Sequence, residues 1–536
     1  MNKLILLLFV FIIHQSLSAQ KNDISIKTSK EFKTKVKVQT FSTEALGSDS
    51  SFYYFDFIPF HEVFDLFQIG YPTSHFIGKL SKDMKTFTRK AIVVGSKKEA
   101  KSVHGIYYLN DSIIITRELK DYFTAQFIDK EMLSLNKETH KLCKIHLTDE
   151  QYRDGFIIKQ SADKTKFLLF YYINNKKGTP IRFGIRVFNQ SLELLWVNDN
   201  ISPKFNGDLF EFTNFKLSNN GDAYFLGAIS TSNHKAYKDG GADAIKHSTS
   251  EVYRIDIPGE HFQLYRIADK GNSIKFIDLQ IPNQAIRDLN YYIANNSTVS
   301  VYGVYCKENR ISAMGTFIFN VNLKDNKIDN INLKSFDKNL IYSGYDKKEM
   351  DYYNKQIEKN REWDPFNYHI GELKTMSNGR KYFISEKWLR GHKSNSTSTF
   401  TYFYYSDIYI SYTDSDNAIN QNYKVSKRQY MQLFPNYCSY VCLEKEDKLY
   451  FIFSEFPKTK SGYFKKVSLN VVSLDNEGNQ QKAFIKTSDE LSNKSKLMLT
   501  TTQMQENGNF NNDEVMLFKM NSSAKAYSFE KISIKP

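Results

Sequence analysis

The sequence predicts an all-β chain folded as a ring of four-stranded sheets, and three observations carry that prediction. A hairpin pattern recurs: an apolar run, a short polar turn, then a second, very apolar and aromatic run. Residues 212–217, the turn Ser218-Asn219-Asn220-Gly221-Asp222 and residues 223–229 form one copy; residues 370–376, Ser377-Asn378-Gly379-Arg380 and 381–386 form another. Looser copies are 291–294/298–305, 156–159/167–173 and 439–443/449–454. The units recur at about 40–60 residues with about four strand-like runs in each, a repeat architecture rather than a string of unrelated domains. Several second strands, such as 167–173 and 449–453, are unbroken apolar runs, the mark of strands covered on both faces. Stacked radially, such units make a β-propeller, here of about seven or eight four-stranded blades over residues 51–536.

The elements follow in order. Residues 1–3 are a short basic start, 4–13 an unbroken apolar run and 16–20 (SLSAQ) a cleavage region, the order of a secretory signal peptide spanning 1–19. The apolar run is shorter than the roughly 20 residues of a membrane-spanning helix. The expectation is therefore an exported chain, periplasmic or secreted, with no transmembrane segment after cleavage. Residues 20–50 are polar and weakly patterned and read as a lead-in. Strands are expected at 52–60, 75–80 and 87–94, then at 105–109, 112–118 and 122–129 as three strands of one blade. Blades follow at 155–198, 210–268 (with strands at 252–257 and 262–267), 284–335, 368–428 and 438–487. The tail carries strands near 497–502, 514–520 and 525–534, and ring closure by strands from both termini is expected. One helix is predicted at 346–361, where Met350, Tyr353 and Ile357 recur at spacings of three and four and Pro365 follows.

Composition agrees. Hydrophobic residues make up 41% of the 536 positions, and 42 Phe and 35 Tyr suit sheets packed face to face. Only 10 Pro and 24 Gly are present, and no Pro-rich or Gly/Ser-rich linker divides the chain. The formal net charge is +14. It is spread through Lys-rich turns with no arginine stripe and no nucleic-acid motif, so nucleic acid is not an expected partner. A positive field favours acidic glycans or a negatively charged partner. An outer-membrane barrel would need strict alternation over about 10-residue strands, which the continuous apolar runs deny.

Four cysteines are present, with no CxxC and no Cys/His cluster. Cys438 and Cys442 sit four apart in a predicted strand, about 13 Å from each other, too far for a bridge that needs Cα atoms within about 7 Å. The stretch Asp239-Gly240-Gly241-Ala242-Asp243 has two acids, well short of a calcium shell. The histidines are scattered and form no HExxH pattern. No metal site and no cofactor is expected.

In a propeller, loops joining the second and third strands of a blade share one face with loops joining successive blades. Insertions 230–250, 337–367 and 389–398, with smaller loops at 174–180 and 307–313, all map to that face. They carry Lys176, Lys177, Lys307, Arg310, Arg361, Trp363, Trp388, Arg390 and His392, a mixture of cations and aromatic rings suited to an acidic sugar or a protein partner. The turns Ser161-Ala162-Asp163 and 218–222 look superficially like the Asp-box of sialidases but lack the aromatic residue that closes it. Over about residues 50–530 the chain resembles exported bacterial propeller proteins, a resemblance that implies fold and export but no residue roles. The functional expectation is a non-enzymatic propeller binding a protein or glycan at the bacterial cell envelope. The alternative is a carbohydrate-active hydrolase or lyase with its site at the central mouth; no catalytic residue is assigned.

Overall fold

The computed structural model describes residues 24–30, 32–33, 40–59, 74–93, 100–109, 112–119, 122–144, 156–173, 182–202, 210–229, 251–254, 261–308, 312–359, 366–394, 399–414, 417–432, 439–455, 468–486, 495–499, 514–521 and 526–534. They form eight antiparallel sheets, the eight blades of a β-propeller. Blade 5 shows the plan: Ala285–Asn295, Thr298–Cys306, Ala313–Asn322 and Lys327–Ser335 pair in sequence order. The first strands of neighbouring blades contact one another, so they line the central axis.

Packing explains the apolar runs. A buried cluster fills each of the eight gaps between blades. Within blade 3, Phe170, Phe183 and Ile185 face blade 4 while Phe167 and Leu169 face blade 2. A middle strand therefore has no solvent side, and continuous hydrophobicity replaces alternation. Cys143, Cys306 and Cys442 are free thiols buried in this packing; Cys438 lies outside the described residues.

The ring closes with strands from both ends of the chain. Blade 8 consists of Ser495–Leu499, Glu514–Asn521 and Ala526–Ile534, completed by Ile24–Thr28 as its outermost strand in the register Ile24↔Ile534 to Thr28↔Glu530. Phe32–Lys33 adds a further pairing to the same strand. The segment read as a lead-in thus supplies sheet pairing in blade 8, and Thr40–Ser48 is the inner strand of blade 1. Ser29 fastens the junction: its N–H donates to Phe529 O at 2.8 Å, and its Oγ accepts from Phe529 N–H at 2.9 Å. Phe529 then packs on Phe55 at 4.9 Å and Phe87 at 5.0 Å, ring to ring, joining blade 8 to blade 1.

Blade 6 departs from the plan. Its second and third strands, Lys381–Ser394 and Thr399–Thr413, run 14 and 15 residues. Lys381–Glu386 pairs with Ile408–Thr413 inside the blade, a bulge follows, and Trp388–Ser394 pairs with Thr399–Tyr405 beyond it. Glu251–Arg254 flanks this extension on one side and Gln429–Gln432 on the other. The sequence places a strand at 252–257 within blade 4. The structure instead sends Glu251–Arg254 past blade 5 to the blade 6 extension, and blade 4 takes Ser273–Leu279 as its fourth strand. A local apolar pattern marks a strand without naming its partner.

The helix predicted at 346–361 is present, and among the described residues a short helix precedes it. α1, Lys338–Tyr342, is capped by Asp337, whose Oδ1 accepts from Leu340 N–H at 2.6 Å. α2 is Lys347–Glu358. Gly344 separates them at a φ of 78°, a conformation that disfavours other residues.

Buried ions root this elaboration. Lys424 Nζ lies 3.2 Å from Asp407 Oδ2 and donates to Ile341 O of α1 at 2.7 Å. Lys427 Nζ pairs with Glu386 Oε1 and donates to Gln429 Oε1 at 2.6 Å. Ser439 Oγ donates to Glu386 Oε2 at 2.6 Å, and Gln429 Nε2 donates to Ser439 O and Ser454 O at 2.9 and 2.7 Å. The second network ties the flanking strand of blade 6 to blade 7.

Two outcomes are expected. Ser29→Ala leaves the buried Phe529 N–H without its acceptor and costs about 1–3 kcal/mol of unfolding free energy in denaturant titration. Lys427→Met strands the Glu386 carboxylate and costs about 3–5 kcal/mol, whereas Lys427→Met with Glu386→Leu recovers most of the loss. A double variant as unstable as the single one would show that the lysine acts through packing rather than charge.

Candidate functional site

The face bearing the second-to-third-strand loops also carries the blade 6 extension and the segment with α1 and α2, which joins blades 5 and 6. Of the residues expected here, Trp388, Arg390 and His392 are brought together on one strand of the extension. Trp388 is half-buried, pairing with Asn367 and Tyr405. Arg390 stands opposite Arg254 and Phe403, and His392 opposite Val252 and Thr401. The region read as a loop at 389–398 is therefore strand as far as Ser394. Lys307 is exposed just past the second strand of blade 5. Lys176, Lys177, Arg310, Arg361 and Trp363 lie outside the described residues, as does the 239–243 stretch.

Beside the root of the extension, the inner strands of blades 4, 5 and 6 form a polar seam. A bulge between Ile286 and Asp288 interrupts the blade 5 strand. The facing strand accommodates it with Gly303, where a Cβ would lie 2.1 Å from Asp288 O. The side chains on either side of the bulge reach blade 6. Arg287, buried, donates to Asn367 Oδ1 at 2.8 Å and Phe366 O at 3.2 Å. Asn290 Nδ2 donates to Ile370 O at 3.0 Å. Tyr302 OH accepts from Leu373 N–H at 2.8 Å. Toward blade 4, Tyr291 OH donates to Asn214 O at 2.6 Å, and Asn214 Nδ2 donates to Leu289 O at 3.1 Å. Lys216 of blade 4 reaches past blade 5 to Glu372 of blade 6 at 2.8 Å.

Asp288 is the chemically distinctive member. It is half-buried, and burial pushes its carboxyl up to about 6, against the lowering influence of Arg287, of His369 and of the Leu289 and Tyr368 N–H groups. Near pH 6 it can hold or release a proton. Sequence reading missed this seam, although its signal is present: Arg287, Asp288 and Asn290 break an otherwise apolar inner strand, IRDLNYYI. Among the described residues no group of three or more His, Cys, Asp or Glu forms a metal-holding cluster. No helix among them is long and apolar enough to cross a membrane.

No family model matches the chain, and no curated protein matches it. It is similar to the WD40 domain of SCAP from fission yeast, with 8% identity over 96% of this chain and 99% of that one and a TM-score of 0.38. It is similar to the polysaccharide lyase Uly1, with 8% identity over 95% of this chain and 100% of that one and a TM-score of 0.34. The β-propeller domain of the Trilobed protease from Pyrococcus furiosus shows 9% identity over 83% of this chain and 96% of that one, with a TM-score of 0.32. At these identities and TM-scores the likenesses assign this chain no activity, substrate or partner.

Proposed function

We propose that the chain is an exported, non-enzymatic propeller that binds a protein or glycan partner at the bacterial cell envelope. One observation carries the reading: a four-stranded layer is added to a single face, assembled from the blade 6 hairpin, Glu251–Arg254 of blade 4 and Gln429–Gln432. An added layer on one face of a rigid ring is an economical way to present a recognition surface. Trp388, Arg390 and His392 lie along its central strand, a composition that suits acidic sugars and protein partners alike. The N-terminal pattern supports export. The test uses residues 20–536 against neutral and acidic polysaccharides, with binding and product release read together. Expected is retention of an intact polymer, lost when residues 390–403 are replaced by a two-residue turn. Shortened products, or binding that survives the replacement, overturn the reading.

The second reading, a carbohydrate-active hydrolase or lyase, draws on Asp288. A carboxyl with a raised pKa beside the axis is placed as a general acid would be. Because its folded pKa lies above the ordinary aspartate value, Asp288 favours the folded state below about pH 4, and that contribution is lost as pH rises through about 6. Asp288→Asn should therefore melt at the wild-type temperature at pH 4 and above it at pH 7.5. An enzymatic role further requires polymer cleavage that disappears in the same variant; a stability gain without any cleavage to lose assigns Asp288 to structure.

A further inference from the structure

The blade 6 extension has two faces, and its register distributes charge unequally between them. Successive residues of a strand alternate between the faces, and residues paired across strands share one. Leu389 is buried in a small cluster with Phe366 and Tyr404. Lys393 shares the face of Leu389 and stands opposite Glu251, a pair of opposite sign. The other face takes the alternate positions. Trp388, Arg390 and His392 follow one another on its central strand, Arg254 stands opposite Arg390 on one side, and Phe403 stands opposite it on the other. Trp388 and Phe403 are both partly exposed.

Like charges directly opposite one another in a sheet are destabilising. Arg254 and Arg390 form such a pair. Among the described residues of the extension, 251–254, 388–394, 399–405 and 429–432, the one acidic residue is Glu251, and it belongs to the opposite face. The strands of the extension therefore bring two arginines to adjacent positions and supply no counter-charge on that face. Charge complementarity calls for an anion from outside.

We propose that this face binds a uronic-acid polymer whose carboxylates are received at Arg254 and Arg390. The planar fork of a guanidinium matches a carboxylate with two parallel hydrogen bonds. Neighbouring strands lie about 4.8 Å apart and residues two apart on one strand about 6.6 Å, so Phe403 and Trp388 flank position 390 at those spacings. A uronic acid carries a carboxylate and an apolar ring face within one such spacing. An aspartate or glutamate of an acidic protein segment brings the same charge with no ring face to cover an aromatic side chain. From position 388 to 392 the strand spans about 13 Å, room for more than one sugar residue. The inference rests on the reading of the blade 6 extension as the recognition surface and narrows it to one ligand class.

The test is affinity electrophoresis of residues 20–536 through gels containing polygalacturonate, dextran or poly-glutamate. Polygalacturonate should retard the protein most strongly. Arg254→Gln and Arg390→Gln should each weaken that interaction at least about tenfold. Lys327→Gln removes the same charge from an exposed position on the outer strand of blade 5 and should leave it unchanged. Arg254→Glu should abolish retention while slowing amide hydrogen exchange across Glu251–Arg254, because it turns a repulsive pair into an attractive one. Slower exchange with retention intact would make the pair purely structural and overturn the proposal. So would polygalacturonate held no better than dextran, or held equally by Arg390→Gln. Poly-glutamate held as tightly as polygalacturonate would assign the face to an acidic protein segment and overturn the sugar. Dextran retained through residues 390–403 in place of polygalacturonate would overturn this ligand class and leave the blade 6 reading standing. Polygalacturonate retained undiminished after replacement of residues 390–403 would overturn both.

Discussion

Closure of the ring is the constraint on which everything else rests. Each blade has two apolar faces, and a solitary sheet could bury only one of them against a single neighbour. The eight gaps are filled only because blade 8 meets blade 1, and it meets it through Phe529 between Phe55 and Phe87. That contact is held in place by a strand from the opposite end of the chain, paired from Ile24 to Thr28. The pairing also covers the outer edge of the last blade, where an unpaired ladder would invite another chain.

A closed ring is stiff, which lets one blade carry elaboration without loss of the rest. The blade 6 extension runs beyond the ladder of its own blade, and its small apolar cluster, Leu389 with Phe366 and Tyr404, is separate from the clusters that fill the gaps between blades. Glu251–Arg254 from the blade 4 span and Gln429–Gln432 from blade 6 itself complete its ladders, and two buried ion pairs fix the places where it leaves the ring. Burying Lys424, Asp407, Lys427 and Glu386 is expensive, and apolar side chains of similar size would hold the core at least as well. What ions give here is direction. Gln429 bonded to Ser439 and Ser454, and Lys424 bonded to α1, set the azimuth of the flanking strand and of the helical segment in a way that apolar packing, indifferent to rotation, does not.

Much of the fold was legible because it is local. The turns at 218–222 and 377–380 and the unbroken runs at 167–173 and 449–453 each state their strand within a few residues. What was not legible is partnership. Glu251–Arg254 reads as a strand from its own pattern, but nothing in it says that it pairs with residues about 140 positions later rather than with its own blade. Ile24–Thr28 is polar and weakly patterned because it forms the outer edge of blade 8, half solvated, and its partner is over 500 residues away. The stretch read as a loop at 389–398 is strand as far as Ser394, so Arg390 and His392 share a strand with Trp388. The inner seam went unread because polar residues on an apolar strand are individually ordinary; only the ring brings Arg287, Asp288, His369 and Glu372 to one wall.

The polar residues of the seam show what the ring does with charge. Arg287 has Asn367 and the carbonyl of Phe366, Lys216 has Glu372, and Asp288 is balanced among Arg287, His369 and two N–H groups. Most of these contacts cross from one blade to another. The hydrogen bonds and counter-charges that stabilise the wall therefore also lock the inner strands of blades 4, 5 and 6 to one another.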